Sequence, residues 1–98
     1  MGKKIEVKWT DRSLRNSQYI SDYLRQAFDE RESNIFHNLL KRFEINVVRF
    51  PKLYPTSIKF PHLRRAVLHK YTSVYYTLSN HQIIVVAIQD NRQEAPNE

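Results

Sequence analysis

Residues 82–90 read Gln82-Ile83-Ile84-Val85-Val86-Ala87-Ile88-Gln89-Asp90. Apolar side chains stand at consecutive positions, so a strand made from them is apolar on both faces. That pattern belongs to a strand in the interior of a sheet. Upstream, Ser79-Asn80-His81 is a short polar turn. Residues 72–78 (Thr-Ser-Val-Tyr-Tyr-Thr-Leu) are rich in the β-branched and aromatic side chains that suit a pleated surface. Residues 63–69 (Leu-Arg-Arg-Ala-Val-Leu-His) read as a further strand, with Lys70-Tyr71 marking a turn or bend. Before them, residues 51–62 hold Pro51, Pro55 and Pro61. This is extended or looped chain, with a short edge strand expected at Ser57–Phe60.

The first half has a different period. Residues 4–9 alternate strictly, Ile5, Val7 and Trp9 against Lys4, Glu6 and Lys8, as in a strand with one buried face. Thr10-Asp11 offers side-chain oxygens to cap a helix. Residues 11–28 then place Leu14, Ser17, Ile20 (or Ser21), Leu24, Ala27 and Phe28 at helical spacing, with Arg12, Arg15, Asp22 and Arg25 on the outer side. Asp29 with Glu32 three residues on reads as a second helix start. That helix carries the stripe Phe36, Leu39, Leu40, Phe43, Val47 and Phe50, and Pro51 ends it. So short a connection implies an antiparallel helical hairpin. The expected fold is α+β: an N-terminal strand, then a helical hairpin packed on a twisted, mostly antiparallel sheet. It forms one domain over residues 1–98, with a loosely ordered tail from about 91.

Composition excludes several function classes. There is no cysteine, so there is no disulfide, thiolate metal site or thiol nucleophile. The single glycine is Gly2, and a phosphate-cradling loop needs glycines where backbone amides approach an anion. No apolar run approaches the roughly 18 residues of a membrane span. The expectation is a cytoplasmic chain with no membrane partner. The net charge of +6 is concentrated. Residues 41–70 carry Lys41, Arg42, Arg49, Lys52, Lys59, Arg64, Arg65 and Lys70 against Glu44 alone. Such a field attracts nucleic acid or an acidic protein segment, unless it serves only as a solvated surface. Glu44 is expected to be an ion-pair partner on its helix surface.

Several short stretches, in this order and spacing, resemble the RelE/ParE superfamily of toxins from type II toxin–antitoxin systems. They are Val7-Lys8-Trp9-Thr10, the helix-closing Pro51, Leu63-Arg64-Arg65-Ala66-Val67, Tyr71 with Val74-Tyr75-Tyr76, and Asp90-Asn91-Arg92-Gln93 with Pro96. The resemblance covers essentially the whole chain. It implies a growth-inhibiting, plasmid-stabilising protein neutralised by a cognate antitoxin. Its target is either DNA gyrase, as for ParE-like members without a catalytic site, or mRNA on the ribosome, as for RelE-like endoribonucleases.

RNA cleavage by the 2′-hydroxyl needs a base, an acid and cations around the phosphate. In the mRNA-cutting members an arginine follows the tyrosine matched here by Tyr71, and a Tyr or His stands near the C-terminus. Here Thr72 follows Tyr71, and no Tyr or His follows His81. The ParE-like reading gains by that subtraction. If the chain is a nuclease, the candidates are Arg65, His69 and Arg92. The candidate target- or antitoxin-binding residues are Lys59, Arg64, Arg65, Lys70, Tyr71 and Arg92. A basic nucleic-acid-binding module is the third reading.

Each candidate also has a plain structural alternative. Arg64 and Arg65 are strand neighbours and point to opposite faces, so only one lines a given groove. Arg92 beside Asp90 suits either a functional role or a structural pair anchoring the chain end. Tyr71, Tyr75 and Tyr76 suit base stacking or core packing. His62 and His69 lack metal-ligand spacing, and no metal or other cofactor is implied.

Overall fold

The computed structural model describes residues 4–92. Its elements are β1 (Glu6–Trp9), α1 (Asp11–Ala27), α2 (Glu30–Arg49), β2 (Arg64–His69), β3 (Thr72–Ser79) and β4 (Gln82–Asp90). The sheet order is β1-β4-β3-β2. β2, β3 and β4 form an antiparallel meander, and β1 joins β4 in parallel, from Glu6 opposite Gln82 to Trp9 opposite Val85. The fold is therefore α+β with a mixed sheet, as expected. β4 lies inside the sheet, between β1 and β3.

One face of that sheet carries the helices. Val74, Tyr76, Ile83, Val85, Ile88 and Ala66 meet Ile20 and Leu24 of α1 and Phe36, Leu40, Phe43 and Val47 of α2. The second face of β4 is only half-buried: Ile84 and Ala87 look away from the helices. Its apolar character thus reflects a central position in the sheet, not a second covering layer.

β1 is short and covers only the first half of β4. The rest of that edge is completed by side chains. The Thr10 hydroxyl donates to the Val86 carbonyl (3.1 Å), and the Asn16 carboxamide oxygen accepts the Ile88 N–H (3.1 Å). A buried backbone group left unpaired is costly, so these bonds seat α1 against the sheet edge.

Both helix starts follow the sequence reading. Thr10 caps α1 through the Ser13 N–H, and Asp29 caps α2 through the Glu32 N–H. The apolar stripes are narrower than expected. Leu14, Phe28 and Phe50 are each more than half exposed. The inner seam of α1 is Ser13, Ile20, Ser21 and Leu24, and Ser33 joins the seam of α2. Small hydroxyl residues let the helices approach closely: Ser21 and Ser33 share a 2.8 Å hydrogen bond, and His37 meets Ser21 at 2.9 Å. Phe28 and Phe50 are the residues that cap the C-terminal ends of α1 and α2.

Two further expectations are corrected. No strand forms at Ser57–Phe60. Ser57 instead takes the Phe60 N–H on its hydroxyl (3.0 Å), closing a turn, and only Thr56 bridges to Arg64. Among the described residues Glu44 makes no ion pair. It accepts the Trp9 indole N–H at 2.7 Å, tying β1 to α2.

Tyr76 is buried, and its hydroxyl donates to the Pro51 carbonyl at 2.7 Å, holding the end of α2 over β3. Burial pushes its phenol above the ordinary value, against the pull of Arg64. A raised folded-state value adds stability below the unfolded tyrosine range, and this is lost as pH rises through the folded value. Tyr76→Phe is expected to cost about 1 kcal/mol in urea unfolding at pH 7. It should also flatten the loss of stability above about pH 10.

The β3–β4 turn has Asn80 and His81 at φ 49° and 62°, the left-handed pair of a two-residue hairpin. Replacing His81 by Gly removes the side chain's steric cost there. It is expected to raise stability by up to about 1 kcal/mol, read by thermal unfolding.

Candidate functional site

The two described residues that follow β4 are fastened to the fold. Asp90 is fully buried and accepts from the Thr72 hydroxyl (3.0 Å). One of its carboxylate oxygens also takes the Arg92 backbone N–H (3.0 Å) and Nε (3.2 Å), and the other takes Nη2 (3.0 Å). Arg92 Nη1 reaches Glu32 of α2 at 3.0 Å. The guanidinium lies 4.8 Å from the Tyr71 ring centre and 5.6 Å from that of Phe28. Hydrogen bonding to Asp90 holds its pKa above the ordinary value, against the effect of burial. The Asn91 N–H donates to the Tyr71 carbonyl (2.8 Å), and the Tyr23 hydroxyl donates to the Arg92 carbonyl (3.2 Å). Asn91 and Arg92 are therefore anchored, against the expectation of a loose tail from 91. Gln93 and Pro96, and the expected tail beyond Arg92, lie outside the described residues.

Around this anchor is a cleft of about 460 Å³ between the hairpin and the β2–β3 turn. It is lined by Phe28, Glu32, Ile35, Phe36, Leu39, His69, Lys70, Tyr71 and Arg92. His69 reaches it because of a bulge. The register passes from Val67 opposite Ser73 to His69 opposite Thr72, so the extra residue Leu68 turns His69 to the helix side. There its ring lies 5.6 Å from Tyr71, whose ring also has the Lys70 ammonium at 5.1 Å.

The open face of the sheet holds a second constellation. Arg65 donates from Nε to the Ser73 hydroxyl (3.2 Å), and the Tyr75 hydroxyl donates to Gln89 (3.4 Å). Phe60 packs edge-on to Tyr75, and Lys59 sits over Phe60 with its ammonium 5.6 Å from the ring centre.

The expected candidates thus divide. Lys59 and Arg65 belong to the open face. His69, Lys70, Tyr71 and Arg92 belong to the cleft on the helix side. Arg64 belongs to neither: it faces the helix side opposite Tyr76 and donates to the Tyr54 carbonyl at 2.7 Å. Arg64 and Arg65 do point to opposite faces, as strand geometry requires. Of the nuclease candidates, Arg65 is separated by the sheet from His69 and Arg92. Glu32, Phe28, Phe60 and Ser73 were not legible as site residues. Glu32 and Phe28 show only helix capping and a stripe position, and Ser73 and Phe60 gain meaning only from cross-strand pairing. Tyr76 is core. Among the described residues no three His, Cys, Asp or Glu side chains group as metal ligands, and no helix is long and apolar enough to cross a membrane.

No family model matches the sequence, and no curated protein matches it. The likeness is in the fold. A chain of the chromosomal ParDE toxin–antitoxin system of P. aeruginosa superposes with a TM-score of 0.76 at 12% identity, over 89% of this chain and 96% of that one. The RelBE2 toxin–antitoxin complex of Mycobacterium tuberculosis gives 0.64 at 11% identity, over 90% and 99%. YafQ of E. coli gives 0.59 at 10% identity, over 94% and 99%.

Removing the cation that holds a buried carboxylate strands its charge. Arg92→Ala is expected to cost about 3 kcal/mol of stability. Asp90→Asn combined with Arg92→Ala should recover at least about 1 kcal/mol of the summed single effects, read by a double-mutant cycle in urea.

Proposed function

We propose that this chain, which has the RelE/ParE-type fold, is the toxin half of a bacterial type II toxin–antitoxin pair. It is a single-domain cytoplasmic protein, restrained by a cognate antitoxin and acting in the ParE manner on DNA gyrase without a catalytic site of its own. The observation that carries the gyrase reading is the division of the cationic candidates. Phosphodiester cleavage needs its base, acid and cations around one phosphate. Arg65 stands on the open face, while His69 and Arg92 line the cleft across the sheet. Arg92 is further occupied by Asp90 and Glu32. The basic middle of the chain supports an acidic protein partner, both antitoxin and target.

One observation favours ribosome-dependent mRNA cleavage as the second reading. Arg65, Ser73 and Tyr75 lie together on the open sheet face, with Lys59 and Phe60 beside them. Cation and aromatic groups of this kind meet single-stranded RNA.

Pulse-labelling of DNA and protein synthesis after induction of the chain alone separates the readings. DNA synthesis is expected to fall first while translation continues. Translation falling first would replace the gyrase reading with mRNA cleavage centred on Arg65 and Tyr75. Co-expression of the cognate antitoxin is expected to restore growth.

A further inference from the structure

The loop between α2 and β2 carries at its tip an isoleucine that none of the described residues covers. Ile58 is 99% exposed. The loop that holds it is built, not slack. Pro55 and Pro61 fix the backbone on either side. Buried Ser57 donates its N–H to the Leu63 carbonyl (2.8 Å) and accepts the Phe60 N–H on its hydroxyl (3.0 Å). The Leu63 N–H donates to the Phe60 carbonyl (2.8 Å), and the Arg65 N–H to the Pro55 carbonyl (2.9 Å). Behind the tip, Phe60 is braced edge-on against Tyr75 with Lys59 across its ring.

A large aliphatic side chain gains by leaving water, and a preorganised loop loses little entropy when it docks. Such a residue is therefore suited to anchor an interface. Charge narrows the partner. No Asp or Glu stands between Glu44 and Asp90, and Lys59 adjoins the tip. The complementary surface is acidic. A nucleic acid also carries negative charge, but it is met by aromatic faces on which bases stack. The residue presented here is aliphatic and branched, and Phe60 and Tyr75 are engaged with one another. An apolar pocket on a protein fits better.

We propose that Ile58 is the anchor by which this chain docks on its target protein, entering an apolar pocket rimmed by carboxylates that Lys59 meets. This rests on the toxin reading above. The test uses the full chain, purified DNA gyrase as the binding probe, and growth after induction. Ile58→Ser is expected to leave the thermal midpoint unmoved, since the side chain is 99% exposed, and to weaken gyrase binding about 10- to 100-fold. Ile58→Leu should restore binding. Lys59→Glu should slow association several-fold at low salt, with the effect fading as salt screens it. Gyrase binding by Ile58→Ser as tight as the wild type overturns the proposal. If the wild type stops growth without binding gyrase, growth decides. Arrest relieved by Ile58→Ser keeps the tip and removes gyrase as the target, whereas unaltered arrest overturns the tip. Translation arrest lost in Tyr75→Ala but kept in Ile58→Ser overturns it in favour of an RNA surface. A wild type that neither binds gyrase nor slows growth overturns the toxin reading and the tip together.

Discussion

β4 sets the conditions that the rest of the chain must meet. It is long, apolar and interior, so its edges and at least one face have to be satisfied by chain from elsewhere. β3 pairs along one edge. The other edge needs β1, from the opposite end of the sequence, and β1 is too short. Thr10 and Asn16 complete it by bonding Val86 and Ile88. The parallel pairing obliges the chain to cross over before it returns, and the helical hairpin begins that crossing while covering the core face. The hydroxyl-lined seam through Ser21 and Ser33 follows from the same demand, since both helices must fit over one narrow sheet.

The exit from β4 is governed by electrostatics. A buried carboxylate is tolerable only when paired and hydrogen-bonded, and Asp90 takes Thr72 and Arg92 together. Arg92 passes the tie to Glu32 at the start of α2. One ion network thus links the last strand, the β2–β3 hairpin and the helix pair, and it forms one wall of the cleft. Arg92 is therefore held by two carboxylates from different parts of the fold.

Much of this was legible from residue pattern. The alternation of Ile5, Val7 and Trp9, the caps Thr10 and Asp29, the stop at Pro51 and the double-sided run at 82–90 are local signals, and each led to the element observed. The failures are equally specific. Leu14, Phe28 and Phe50 carry the right period yet stay more than half exposed. Ser57–Phe60 has strand-like residues, yet a serine hydroxyl closes the backbone into a turn. Glu44 was assigned an ion pair because nothing in the sequence announces that Trp9 lies across from it.

The sequence by itself determined the α+β order, the helix boundaries, the interior place of β4 and the concentration of positive charge, because these depend on period, capping chemistry and composition within short windows. Tertiary structure alone decided which side chains share a site. A single-residue bulge at Leu68 carries His69 to the helix side while Arg65 stays on the open face. Arg92 is occupied by a glutamate sixty residues away. Pairing of that kind depends on register and long-range packing, and a shift of one residue on a strand reverses the face on which a side chain stands.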